Sequence, residues 1–340
     1  MQNPLRFSAY ILTALTLPSS AVIVAGASGG GNTINNTTQA QFEGELSTSF
    51  PIYNNVVQYS DASGVYLGYN ASNHDVWVLT ARHITSNSTA GSTIKIGGLT
   101  YNRKPEGSDG YGLLPGGDLR LVCYTRSDLA VPGLPAVKLS ATVPVASAQV
   151  ALIGYGQNRV EDAATRGGVS DYSSITVGTG TANGYNWSGT RIERWGTNNI
   201  DSNFLDALEV GTPGSGTTGT FSMGPYDTTG FQTTFDQPGG GQWQSSNEAQ
   251  LSLGDSGGGA FAYINGQWVL SGIFSAIAGY NGQAANTSVF GNLSLITDVA
   301  TYSSAIDTSL GGITLVPEPD TSALALLAFA AVLSRRRRHA

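Results

Sequence analysis

Leu253-Gly254-Asp255-Ser256-Gly257-Gly258-Gly259 places four glycines around a single serine hydroxyl. Glycine enters backbone conformations that a residue with a Cβ resists, so such a run marks a tight turn rather than the middle of a helix or strand. A serine hydroxyl alone is a poor nucleophile. It becomes a good one when a base touches it and a buried carboxylate orients that base. Reading outward from Ser256 therefore means asking whether the chain offers one histidine and one aspartate in suitable places.

The chain has three histidines. His339 follows Arg335-Arg336-Arg337-Arg338 at the end of the chain, and His74 sits in the polar stretch Asn70-Ala71-Ser72-Asn73-His74-Asp75. His83 differs from both, because it follows the strand-like run Val76-Trp77-Val78-Leu79-Thr80 within Thr80-Ala81-Arg82-His83-Ile84. Two aspartates open apolar runs: Asp118 in Gly116-Gly117-Asp118-Leu119-Arg120-Leu121-Val122, and Asp128 in Ser127-Asp128-Leu129-Ala130-Val131.

The segment around His83 resembles the Thr-Ala-Ala-His-Cys signature of the trypsin-like and chymotrypsin-like serine proteases, and 254–258 resembles their Gly-Asp-Ser-Gly-Gly motif. Arg82 and Ile84 depart from the signature. The resemblance implies His83 as base, Ser256 as nucleophile, and the N–H groups of Gly254 and Ser256 as the oxyanion hole. It also implies two packed six-stranded antiparallel β-barrels. Counting from Asp118 to Val137-Lys138-Leu139 and Gly154-Tyr155-Gly156 matches the family spacing, which favours Asp118 as the carboxylate and keeps Asp128 as second candidate. Gly154-Tyr155-Gly156 resembles the family's opening of the second barrel. Leu270-Ser271-Gly272-Ile273-Phe274-Ser275 resembles the strand lining the substrate cleft, with Ser275 expected to bond the buried carboxylate. Six residues before Ser256, Gln250 would floor the primary pocket and select uncharged side chains. No Ile-Val-Gly-Gly start for an activated chain is evident, so the mode of activation stays open.

Composition agrees with an all-β fold. The 45 glycines and the abundance of Thr, Ser, Asn, Val and Tyr favour short strands and tight turns. Short β-prone runs recur at 55–59, 64–68, 76–80, 93–96, 119–124 and 150–155, the spacing of a barrel or sandwich. Asn265-Gly266 joins two such runs and signals a hairpin. A short closing helix is expected over about 296–306, and no internal repeat is evident. Cys123 is the only cysteine, so no intrachain disulfide can form, and its apolar setting reads as a packed core thiol. The net charge of −7 argues against nucleic acid as a partner.

Both ends read as addresses. Arg6, an apolar stretch over 7–17, and small residues up to Ala25-Gly26-Ala27 have the layout of a secretory signal peptide, cut after Ala27 or, alternatively, after Ala21. Val316-Pro317-Glu318-Pro319, a short apolar run and the arginine cluster resemble the PEP-CTERM sorting signal of Gram-negative-type bacteria, which implies a membrane sorting peptidase as partner. The expected organisation is signal peptide 1–27, flexible leader 28–49, N-terminal barrel 50–142, C-terminal barrel 143–306 with long loop insertions, and linker with sorting tail 307–340. The expected protein is a secreted or cell-surface serine endopeptidase acting on protein or peptide substrates, monomeric, with no metal or cofactor. The alternative is an inactive protease-fold protein serving as a surface or matrix binding platform.

Overall fold

A computed structural model of the chain describes residues 7–9, 22–25, 38–84, 92–105, 112–157, 159, 172–187, 191–204, 216–225, 227–237, 247–310 and 315–316. The first β unit contains β1 (Val56–Tyr59), β2 (Ala62–Asn70), β3 (Val76–Thr80), β4 (Thr93–Ile96), β5 (Leu99–Arg103) and β6 (Arg120–Thr125). All pairings are antiparallel in the order β1-β2-β3-β6-β5-β4, and β4 returns beside β1. The second contains β7 (Gln149–Gly154), β8 (Arg194–Asn199), β9 (Asp227–Thr234), β10 (Gly259–Ile264), β11 (Gln267–Tyr280) and β12 (Leu293–Asp298). Its order is β7-β8-β9-β12-β11-β10, with β10 pairing back onto β7. A bridge between Ile200 and Thr233 joins β8 to β9.

The fold is therefore all-β, two six-stranded antiparallel barrels, as expected. The two barrels share one strand order, a repeat that the sequence does not display. Barrel strands need only apolar residues at alternate positions, and many side chains satisfy that requirement. One continuous core crosses the junction, combining Val78 and Leu121 of the first barrel with Ile153, Phe261 and Ile273 of the second. Cys123 is buried in it, as expected of a core thiol.

The insertions between β7 and β10 form two hairpins. Ser173–Val177 pairs with Gly180–Asn186, and Thr218–Ser222 pairs with β9. The closing helix is α2 (Val299–Leu310), capped by Asp298, whose carboxylate accepts from the Ala300 and Thr301 N–H groups. Val299, Tyr302, Ile306 and Leu310 lie on its buried stripe.

The region expected to be a flexible leader contains α1 (Gln39–Leu46). Thr38 and Gln41 close a reciprocal capping box at its start, the Gln41 N–H donating to Thr38 Oγ1 and the Thr38 N–H to Gln41 Oε1. Phe42 is its one fully buried residue, packed on Phe50, Trp195 and Trp268. One anchor makes no apolar stripe, so periodicity gives no sign of this helix. Residues 28–37 lie outside the described residues.

Within the expected signal peptide, Phe7–Ala9 pairs with the end of β11, and Ile23–Val24 pairs with Ala249–Gln250. Leu315–Val316 pairs with β2, while the Pro-Glu-Pro and arginine segments lie outside the described residues. Among the described residues no helix is long and apolar enough to cross a membrane. Because Phe42 joins the leader to two second-barrel tryptophans, Phe42→Ala is expected to lower stability by about 3–5 kcal/mol, the usual cost of truncating a buried Phe. Urea unfolding followed by tryptophan fluorescence measures it, and a loss below about 1 kcal/mol would show that α1 is not part of the cooperative fold.

Candidate active site

In the β3–β6 ladder Thr80 stands opposite Arg120, so the residue after β3 and the residue before β6 leave the barrel side by side. This register brings His83 to Asp118. The His83 N–H donates to Asp118 Oδ1 at 2.8 Å, and the ring Nδ1 lies 2.7 Å from Asp118 Oδ2. On the other side of the ring, Nε2 lies 2.9 Å from Ser256 Oγ. An ionised carboxylate can only accept, so the contact at Nδ1 fixes the proton there and leaves Nε2 to accept from the serine hydroxyl. Asp118 is fully buried, whereas the imidazole keeps 25% of its surface exposed toward the cleft.

Asp118 is held by the second barrel as well as the first. Its N–H donates to Thr228 Oγ1, and the Tyr302 hydroxyl of α2 donates to Gly116 O at 2.7 Å. A Cβ on Gly117 would run into the Tyr302 ring, which explains the small residues before Asp118. Asp128 has a different job. It is exposed and forms a two-point ion pair with Arg126, whose hydrogen bonds lower its carboxyl to about 2.

The turn around Ser256 shows why its glycines are there. Gly254 and Gly257 have φ of 93° and 83°, in the region that favours glycine. A Cβ on Gly257 would strike Ser63 O and Thr80 Oγ1. Among the described residues none accepts a hydrogen bond from the Gly254 or Ser256 N–H, so both donors are left for a ligand. The neighbouring Asp255 is fully buried. Its Oδ2 accepts from the Ser252 N–H and hydroxyl, and its Oδ1 accepts from the Gly156 N–H. A Cβ on Gly154 would collide with Asp255 Oδ1, so Gly154-Tyr155-Gly156 is shaped by that carboxyl.

Ser63, which sequence reading passed over, ties these parts together. Its hydroxyl donates to Gly254 O at 3.0 Å and accepts from the Tyr155 N–H at 2.9 Å. Its backbone N–H donates to Ser256 O, and its carbonyl accepts from the Thr80 hydroxyl. No motif marks a serine in a strand as special, so nothing local could have singled it out.

A cleft of about 300 Å³ opens beside Ser256 and His83, walled by Trp187, Met223, Leu251, Leu253, Phe274 and Ile277. Among its described lining residues only His83 and Asp255 are titratable. Two expectations need correction. Gln250 does not line the cleft. It is buried in the pairing with Ile23–Val24, and its Nε2 donates to Leu293 O. Ser275 does line the cleft, but its hydroxyl lies 2.6 Å from Thr297 Oγ1 and bonds there rather than to Asp118. The β11–β12 register skips at Ser275, a bulge that re-aims its side chain. Among the described residues no group of three His, Cys, Asp or Glu side chains is placed to hold a metal.

No protein-family model matches the sequence, and no curated protein matches it. Solved structures do. A mutant of human heparin binding protein shares 15% identity at a TM-score of 0.44, over 80% of this chain and 98% of that one. Neuropsin, a serine protease expressed in the limbic system of mouse brain, shares 15% identity at 0.41, over 77% and 96%. An inactive chimeric murine norovirus NS6 protease shares 15% identity at 0.34, over 73% and 93%. Likenesses this distant transfer no residue role to this chain.

Burial raises several carboxyls near this site and behind it. Asp255 rises to about 7, against the hydrogen bonds from Ser252 and Gly156. Burial raises Glu193 to about 8, and burial together with the charge of Asp236 raises Glu248 to about 9. A carboxyl whose folded pKa exceeds its unfolded value binds more protons when folded, so stability falls as pH rises from the unfolded value through the folded one. The melting temperature is therefore expected to fall between pH 5 and pH 9. Scanning calorimetry at constant ionic strength measures this, and a melting temperature that rises over that window contradicts the assignment.

Proposed function

We propose that this chain is a serine endopeptidase, exported from a Gram-negative-type bacterial cell, that hydrolyses peptide bonds through an acyl-enzyme. The observation that carries the reading is the unbroken chain Asp118–His83–Ser256, with contacts of 2.7 Å and 2.9 Å. In the forward step Ser256 Oγ attacks the scissile carbonyl while His83 Nε2 takes its proton. Asp118 stabilises the imidazolium without itself being protonated. The negative oxygen of the tetrahedral intermediate is received by the Gly254 and Ser256 N–H groups, fixed in place before reaction. His83 then returns the proton to the leaving amine, and water reverses the sequence on the ester. No step calls on a metal or cofactor.

Substrate preference follows from the cleft. A charged side chain entering walls made of Trp187, Leu251, Phe274 and Ile277 would lose its hydration, and the lining Asp255 carboxyl is already bonded to Ser252 and Gly156, whereas an apolar side chain gains burial. The preferred residue on the acyl side of the scissile bond is thus Leu, Met or Phe.

Reaction with a fluorophosphonate probe and cleavage of denatured protein test the mechanism. Wild type is expected to label and cleave, and Ser256→Ala to lose labelling. Asp118→Asn should lower kcat by about 10⁴, the cost of the wrong imidazole tautomer, while Asp128→Asn leaves kcat unchanged. Labelling that survives Ser256→Ala refutes the site. Absence of both labelling and cleavage in wild type supports a binding platform instead. Peptides with Leu or Phe before the scissile bond should be cleaved at least about tenfold faster than those with Lys, Arg or Asp, and equal rates would refute the apolar assignment.

A further inference from the structure

Residues 22–25 carry sequence of an export leader and the burial of a core strand. Their relative exposures are 1%, 0%, 3% and 0% for Val22, Ile23, Val24 and Ala25. A cleavable leader has no reason to be buried on both faces. Val22 and Val24 enter the core of the second barrel with Leu152, Phe231 and Ala260, while Ile23 and Ala25 enter a separate cluster with Tyr185, Trp187, Phe235 and Phe290. This is the alternation of a strand covered on both sides.

The backbone is fixed to match. Val24 and Ile23 pair antiparallel with Ala249 and Gln250, and the Ala25 N–H donates to Glu248 O at 2.8 Å. The Arg159 guanidinium donates to Val24 O at 3.1 Å. Gly196 on β8 leaves the space that this sheet occupies, since a Cβ there would meet Ala249 and approach Val24 Cγ2 to 3.3 Å. The neighbouring elements are thus shaped to receive residues 22–25.

The strand also stands behind the substrate cleft. Trp187 and Leu253, which belong to the same apolar cluster as Ile23, both line it, and so does Leu251, which shares a cluster with Val22 and Val24. Removing residues 22–25 would open the rear of that wall to water.

Two bonds that follow an alanine in this region satisfy the preference of leader peptidases for small residues one and three positions before the cut: Ala27–Ser28, preceded by Ala25-Gly26-Ala27, and Ala21–Val22, preceded by Ser19-Ser20-Ala21. The sequence does not choose between them. The fold does, because a cut after Ala27 discards the buried strand. Resting on the export reading above, we propose that a leader peptidase hydrolyses the Ala21–Val22 bond. One water adds across the amide, leaving a carboxylate on Ala21 and an amine on Val22. Residues 22–25 stay as the first strand of the mature protein and brace the cleft wall. The edge pairing of Phe7–Ala9 on Ala278–Tyr280 leaves with the leader.

The test exports the full chain from a Gram-negative host and reads the mature N-terminus by intact mass and N-terminal sequencing. Wild type is expected to begin at Val22, Ala21→Arg to keep its leader, and Ala27→Arg to mature like wild type. A mature chain beginning at Ser28, or a leader retained only in Ala27→Arg, overturns the proposal. A wild-type chain that keeps Met1 overturns both it and the export reading. For the bracing role, Ile23→Ala should label with fluorophosphonate at least tenfold more slowly than wild type, with Ile23→Val restoring most of the rate. Unchanged labelling of Ile23→Ala overturns that role. Absence of labelling in wild type would count against the hydrolase reading alone, since the position of the cut is read by mass.

Discussion

The buried hydroxyl of Ser63 joins the two barrels where His83 meets Ser256. Through one side chain and its own backbone, Ser63 makes hydrogen bonds to Gly254 O, the Tyr155 N–H, Ser256 O and the Thr80 hydroxyl. Ser256 belongs to the second barrel, and His83 and Asp118 to the first. The proposed mechanism needs barrels that cannot slide, because a displacement of about 1 Å can cost two orders of magnitude in rate. Tyr302 and Thr228 add a second tie, from α2 and β9 to the residues around Asp118. The shared apolar core supplies cohesion across the junction, and these polar contacts supply registration.

The turn at Ser256 is built at a cost that the rest of the molecule offsets. Asp255 is a carboxyl buried with three hydrogen-bond donors, and burial still outweighs them enough to raise it to about 7. Desolvating a carboxylate is unfavourable, so its presence next to Ser256 points to a geometric duty. That duty is to pin residues 252–256 to Gly156, which holds the Gly254 and Ser256 N–H groups free of other described partners. Gly154, Gly254 and Gly257 each serve the same arrangement by lacking a Cβ.

The cleft wall, in turn, depends on sequence far away in the chain. Trp187, Leu251 and Leu253 face the cleft on one side and pack with residues 22–25 on the other. The cleft wall and the N-terminal strand are therefore one packing problem. The chain lacks any intrachain disulfide to secure such a strand, and its hold comes from burial, the pairing with Ala249–Gln250 and the hydrogen bonds of Arg159 and Ala25.

By itself the sequence determined the β class, most of the barrel strands, the hairpin at Asn265-Gly266 and the His83, Asp118 and Ser256 candidates. Those features are local: alternation, turn residues and short motifs act over a few neighbours, and three histidines left little to choose from. Only the tertiary structure separated Asp118 from Asp128, since both open similar apolar runs and what differs is the β3–β6 register that carries one to His83 and leaves the other on Arg126. The same holds for Ser63, for the cleft wall that excludes Gln250, and for the bulge that turns Ser275 toward Thr297. Helix α1 rests on a single buried phenylalanine, and the burial of residues 22–25 shows only once their neighbours are known. Contacts between residues distant in sequence decide each of these; spacing along the chain leaned toward Asp118 and carries no record of the others.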